Sequence, residues 1–141
     1  MKPALLDVNV LLALAWPNHQ HHALAHRWFS RESRHGWATC AVTQLGFIRL
    51  SSNPAYTPSA VSPSEAAGLL EQWLKHPHHA FWDSVPAGRA GIYSRAVGHQ
   101  QVMDAWLVEV ARQSRGRLVT LDQRLTFHDA QRVHVTVISD G

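Results

Sequence analysis

Apolar runs of two periods alternate along the chain. Ala4 to Asp7 opens with three consecutive apolar residues, the pattern of a short buried strand. Val10 to Trp16 follows at once as an apolar helical run, broken at Pro17 and Asn18. From His19 to Arg31 the apolar Ala23, Leu24, Trp28 and Phe29 recur near helical spacing, which predicts an amphipathic helix. Gly36 punctuates, Trp37 to Cys40 is β-prone, and Thr43 to Ser51 returns to helix until Ser52, Asn53 and Pro54 stop it. Residues 54–63 carry three prolines and read as a loop. Ser62 or Ser64 caps the next helix, which runs to about Lys75 with Ala67, Leu70, Trp73 and Leu74 apolar.

Ala80 to Trp82 reads as a short strand, and Val97 to Gln101 leads into a helix that includes Val102 to Gln113. Gly116 is expected to end that helix in the left-handed conformation. Leu118 to Leu121 and Val133 to Ile138 complete the strands. Strands that alternate with helices predict a mostly parallel sheet covered on both faces, an α/β chain folded as a three-layer α/β/α sandwich. At 141 residues a single domain, 1–141, is expected.

Composition narrows the picture. Hydrophobic content of 45% against 16% charged residues describes a globular chain rather than a disordered one. A net charge of +3 permits a nucleic-acid partner without requiring one. Cys40 is the sole cysteine, so no internal disulfide forms, which fits a reducing cytoplasm. The N-terminal apolar stretch is interrupted by Asp7 and Asn9, so it reads as strand and helix start rather than signal peptide. No run approaches the ~18 apolar residues of a membrane span.

Three acids draw attention by position. Asp7 closes the first strand, Asp122 follows the strand Leu118 to Leu121, and Asp104 lies near the start of a helix. In open α/β sheets ligands bind beyond the carboxyl ends of the strands. Each acid alone also reads as a cap or turn residue. Clustered carboxylates repel unless a cation neutralises them, and hard oxygen ligands suit Mg²⁺ or Mn²⁺. Such ions hold phosphates and activate water, which points to phosphodiester hydrolysis.

The segments around these acids resemble a known family. Leu-Leu-Asp7-Val-Asn9-Val-Leu-Leu-Ala-Leu resembles the opening of a PIN domain. Thr43-Gln44-Leu-Gly46-Phe47-Ile-Arg49-Leu followed by Ser51-Ser52-Asn53-Pro54 resembles its second motif in VapC toxins of mycobacterial type. Gln101-Val-Met-Asp104-Ala105-Trp-Leu and Leu118-Val-Thr120-Leu-Asp122 resemble the third and fourth. The four motifs stand in order over nearly the whole chain. The resemblance implies a PIN-like fold, a divalent metal, RNA cleavage, a homodimer and a cognate VapB-like antitoxin. It makes Asp7, Asp104 and Asp122 the metal-binding catalytic acids, with Asn9 and Thr120 as supporting polar residues. The family usually places Glu where this chain has Gln44, which accepts hydrogen bonds without adding charge. The site would then hold three negative charges and at most one tightly bound metal. Met103 replaces a residue that is commonly small and polar.

Other residues carry weaker expectations. Arg49, on the helix of the second motif, is a candidate contact for substrate or antitoxin. His22 and His26 have zinc-like spacing, against the alternative of a solvated helix start. His76, His78 and His79 flank Pro77 in a turn. Trp28, Phe29, Trp73 and Trp82 divide between core and an antitoxin groove. Arg89, Arg95, His99, Arg112, Arg115, Arg117 and Arg124 offer cations to phosphate, with ordinary solvated faces as the alternative. Asp83 and Asp129 are secondary acids. The function expected is a metal-dependent endoribonuclease toxin cutting structured RNA of the tRNA or rRNA class. The alternative is a PIN-like module that binds RNA or antitoxin with little cleavage, for which Gln44 is the main support. A receiver-like signalling domain would need a late lysine at a strand end, and Lys2 and Lys75 do not stand there.

Overall fold

The computed structural model describes residues 1–128 and 134–140. Its elements run β1 (Ala4–Leu6), α1 (Val8–Ala15), α2 (His22–Glu32), β2 (Trp37–Thr39), α3 (Ala41–Ser51), α4 (Pro63–Leu74), β3 (His79–Phe81), α5 (Val102–Gln113), β4 (Arg117–Thr120) and β5 (Val135–Val137). Short 3-10 turns precede α5 at His99–Gln101 and follow β4 at Gln123–His128. The five strands form one sheet in the order β3-β2-β1-β4-β5, every pairing parallel. The expected α/β/α arrangement stands. Val133, expected within the last strand, and Asp129 lie outside the described residues.

Side-chain alternation builds two cores on the two faces of the sheet. Leu6, Trp37 and Val119 point into one, with Trp28 and Phe29 of α2, Phe47 of α3 and Leu70 of α4. Leu5, Ala38 and Leu118 point into the other, against Leu107, Val110 and Ala111 of α5. Leu5 and Leu6 are completely buried, so a strand of three residues takes part in both packings. Trp28 and Phe29 thus belong to the core, and Trp73 and Trp82 pack against it. Ser62 rather than Ser64 caps α4, accepting from Glu65 N–H at 3.1 Å.

Three local readings are corrected. The first helix begins at Val8, not Val10, because Asp7 accepts the Val8 N–H at 2.8 Å and so both follows β1 and caps α1. The histidines with zinc-like spacing close the far end of that helix. His22 Nδ1 lies 2.7 Å from Ala13 O and His26 Nε2 2.9 Å from Leu14 O, so they serve carbonyls left over where the chain breaks at Pro17. The third concerns α5. Its end carries paired bonds, Gly116 N–H to Ala111 O at 2.8 Å and Arg115 N–H to Arg112 O at 3.2 Å. The left-handed residue is Arg115, with φ of 58°, rather than Gly116. Gly116 is required for room: a Cβ there would stand 2.3 Å from Trp82 Cη2 and 2.7 Å from the Pro3 carbonyl oxygen.

These two neighbours should respond in opposite directions. Arg115→Gly relieves the left-handed backbone and is expected to raise unfolding free energy by about 0.5–1 kcal/mol. Gly116→Ala overpacks a site walled by backbone and is expected to lower it by about 1–3 kcal/mol. Urea unfolding of both variants checks this, and a stabilising Gly116→Ala would refute the assignment.

Candidate active site

From β1 the chain builds outward to β2 and β3, then returns to place β4 and β5 on the other side. The strand order therefore reverses between β1 and β4, and a crevice opens there beyond their carboxyl ends. Asp7 follows β1 directly and Asp122 lies two residues beyond β4. Asp104 enters from the first turn of α5.

One hydroxyl organises the crevice. Thr120 Oγ1 donates to Asp7 Oδ2 at 2.7 Å. It accepts from Asn9 Nδ2 at 3.2 Å and from the Asp122 backbone N–H at 3.1 Å. Asn9 Oδ1 in turn accepts the Leu121 N–H at 3.2 Å. Asn9 and Thr120 thereby hold the first and fourth motifs together. Gly46 lets α3 close on this turn, since a Cβ there would stand 2.6 Å from Val8 Cγ2.

The three acids interact but differ in state. Asp7 is 7% exposed, and burial first, then repulsion from Asp104 and Asp122, pushes its carboxyl up from 3.8 to about 6, despite its bonds from Thr120 and Val8. Burial and then Asp122 raise Asp104. Asp122 is held below the usual range by hydrogen bonds from Arg124. Among the described residues no ion pair reaches Asp7 or Asp104. An open groove of about 440 Å³ is lined by Asp7, Asp104, Arg49 and the apolar Val42, Leu45 and Leu50. A smaller recess of about 50 Å³ lies among Gln101, Asp104, Asp122, Arg124 and His128. Asp104 borders both.

The Gln44 amide bonds a threonine of β2. Its Nε2 donates to Thr39 Oγ1 at 3.0 Å, and Thr39 Oγ1 lies 2.8 Å from His79 Nε2. His79 is shifted toward its neutral form, chiefly by burial, and also bonds the Leu74 backbone. The chain of partners runs away from Asp7 toward β3. Arg49 is exposed beside the groove, as its position on α3 suggested. The sequence signalled Arg124 only as one arginine among several, and Gln101 only as part of a motif.

A PIN domain model matches residues 4–132. Ribonuclease VapC39 of Mycobacterium tuberculosis is 45% identical over 125 residues, covering 86% of this chain and 90% of that protein. The chain belongs to the PIN-domain family, in its VapC branch. Ribonuclease VapC38 of the same organism is 42% identical over 127 residues, covering 84% of each chain. Ribonuclease VapC44, also from M. tuberculosis, is 42% identical over 125 residues, covering 86% and 87%. A solved structure, a domain of a functionally unknown protein from Methanocaldococcus jannaschii, aligns over 100% of this chain and 94% of its own, with TM-score 0.55 and 16% identity. That likeness speaks for the fold alone.

The donor set of this VapC-family chain fits a divalent cation: a buried carboxylate with no counter-ion, repelled by two further carboxylates, all presenting hard oxygen. Among the described residues no three His, Cys, Asp or Glu side chains stand ready as a ligand group.

A carboxyl whose pKa rises on folding binds more protons folded than unfolded. Its cost to stability is absent below 3.8, grows through the interval up to about 6, and is complete above it. At ~1.4 kcal/mol per unit the full cost is on the order of 3 kcal/mol. Asp7→Asn keeps a helix cap and removes the charge, so the metal-free variant is expected to be about 1–3 kcal/mol more stable at pH 7.5. The difference should vanish near pH 4. Thermal unfolding in EDTA across this range checks it, and a gain that grew toward acid would refute the burial argument.

Proposed function

We propose that this chain is a Mg²⁺- or Mn²⁺-dependent endoribonuclease, the toxin of a VapBC-type pair. The observation that carries the proposal is the buried, counter-ion-free Asp7 coupled to Asp104 and Asp122 at the strand-order reversal. Asp7, Asp104 and Asp122 would hold the cation. When bound it would supply charge neutralisation for the scissile phosphate and acidify an attacking water. Thr120 and Asn9 keep the Asp7 carboxylate oriented. Arg49, beside the groove, offers a bidentate contact to a flanking phosphate. Structured RNA of the tRNA or rRNA class, cut in single-stranded loops where bases are accessible, is the substrate proposed. The names of the M. tuberculosis relatives as ribonucleases support this reading.

A cognate VapB-like antitoxin would silence the enzyme, and the setting proposed is the cytoplasm. No described helix is long and apolar enough to cross a membrane. A homodimer is proposed from family membership, and Leu45 at 66% and Met103 at 53% are apolar side chains left exposed at the groove for it to cover.

One observation favours a second reading, a module that binds RNA or antitoxin with little cleavage. Gln44 replaces the acid usual in the family, and its amide is engaged by Thr39 rather than by the acids.

The deciding experiment is cleavage of a total-RNA or tRNA pool by antitoxin-free protein with Mg²⁺, Mn²⁺ or EDTA, beside Asp7→Asn. Discrete fragments that require both metal and Asp7 are expected. Undiminished cleavage by the variant would sink the assigned site. Intact RNA from folded protein would favour the binding module, with Gln44→Glu as the next variant.

A further inference from the structure

Arg124 lies two residues past Asp122, in the turn Gln123–His128. Its Nε stands 3.0 Å from Asp122 Oδ1 and its Nη2 2.9 Å from Oδ2. Its backbone N–H adds a third contact, 2.9 Å to Oδ1. One residue of the same chain thus occupies both oxygens of a candidate metal ligand. The pairing is also easily undone, because the Arg124 side chain is 84% exposed and exposed ion pairs are weak and screened.

We propose that Arg124 competes with the divalent cation for Asp122, and that metal binding hands its guanidinium to the substrate phosphate. The inference rests on the metal-dependent reading above. Arg124 takes three of the roughly four lone-pair positions of the carboxylate, so Asp122 offers a cation both oxygens and its full charge only as the fork opens, and Arg124 thereby sets the concentration at which the site fills. The freed guanidinium stays tethered at the recess lined by Asp104, Gln101 and His128. There it meets the flanking phosphate, whose paired oxygens suit the same planar fork that fits a carboxylate. Empty of metal, the site is partly self-neutralised. Filled, it gains a cation at a recess other than the groove that Arg49 borders with Asp7 and Asp104.

Isothermal titration of Mn²⁺ into RNA-free protein tests this without recourse to activity. Arg124→Gln is expected to bind Mn²⁺ about two- to five-fold more tightly than wild type, the scale of one exposed ion pair. Arg124→Lys, which keeps the charge without the fork, should fall between them. Circular dichroism verifies that these exposed substitutions leave the fold intact, and Asp104→Asn should abolish the Mn²⁺ signal. Equal Mn²⁺ affinity in wild type and Arg124→Gln overturns the competition and leaves the metal reading standing. No Mn²⁺ binding by wild type overturns both. At saturating Mn²⁺, Arg124→Gln is expected to raise KM for RNA at least about three-fold with a smaller change in kcat. An unchanged KM overturns the hand-over to phosphate.

Discussion

The 2.7 Å bond from Thr120 Oγ1 to Asp7 Oδ2 joins the ends of β1 and β4, and much of the molecule is arranged around it. The other oxygen of Asp7 caps α1. The hydroxyl itself is fixed by Asn9 from α1 and by the backbone of Asp122. One carboxylate therefore ends a strand, starts a helix and locks two distant stretches of chain. Its place in that network keeps it buried, and burial keeps it reluctant to ionise. The same residue is then a structural joint and a strong electrostatic sink for a cation.

The neighbouring acids occupy graded states for separable reasons. Asp104, half-buried on α5, shares the raised condition of Asp7. Asp122 is pulled the other way by the guanidinium beside it. The chain carries this repulsion on the strength of two cores, one under α1 to α4 and one under α5. Stability is supplied on the faces of the sheet and expended at its edge, the usual division between scaffold and site.

Much of this was legible in the sequence because two periodicities are strong. The completely apolar β1 and the helical spacing in α2 left few alternatives, and parallel pairing follows from alternation of strand and helix. Asp7 and Asp122 were legible because they follow strands, and Asp104 because it stands in the first turn of a helix. What escaped depends on contacts between segments or on geometry too local for pattern. Gln44 was read from its motif, and only tertiary packing shows its amide bonded to Thr39, which in turn meets His79. The histidines of α2 carried a metal-like spacing, yet their partners are carbonyls of another helix, which no spacing encodes. At Gly116 the propensity argument chose the right turn and the wrong residue, because the steric demand came from Trp82 and Pro3. Arg124 is adjacent in sequence to its partner, but a two-residue separation predicts a fork only once the turn is known.

The division of Leu5 and Leu6 between the two cores has a consequence for folding fidelity. A slip of β1 by a single position would turn each leucine to the wrong side and remove both from their pockets. The same slip would carry Asp7 off the carboxyl edge and away from Thr120. The chain cannot mispair its central strand and still assemble the acidic crevice, so the hydrophobic cores act as a proofreader for the chemistry.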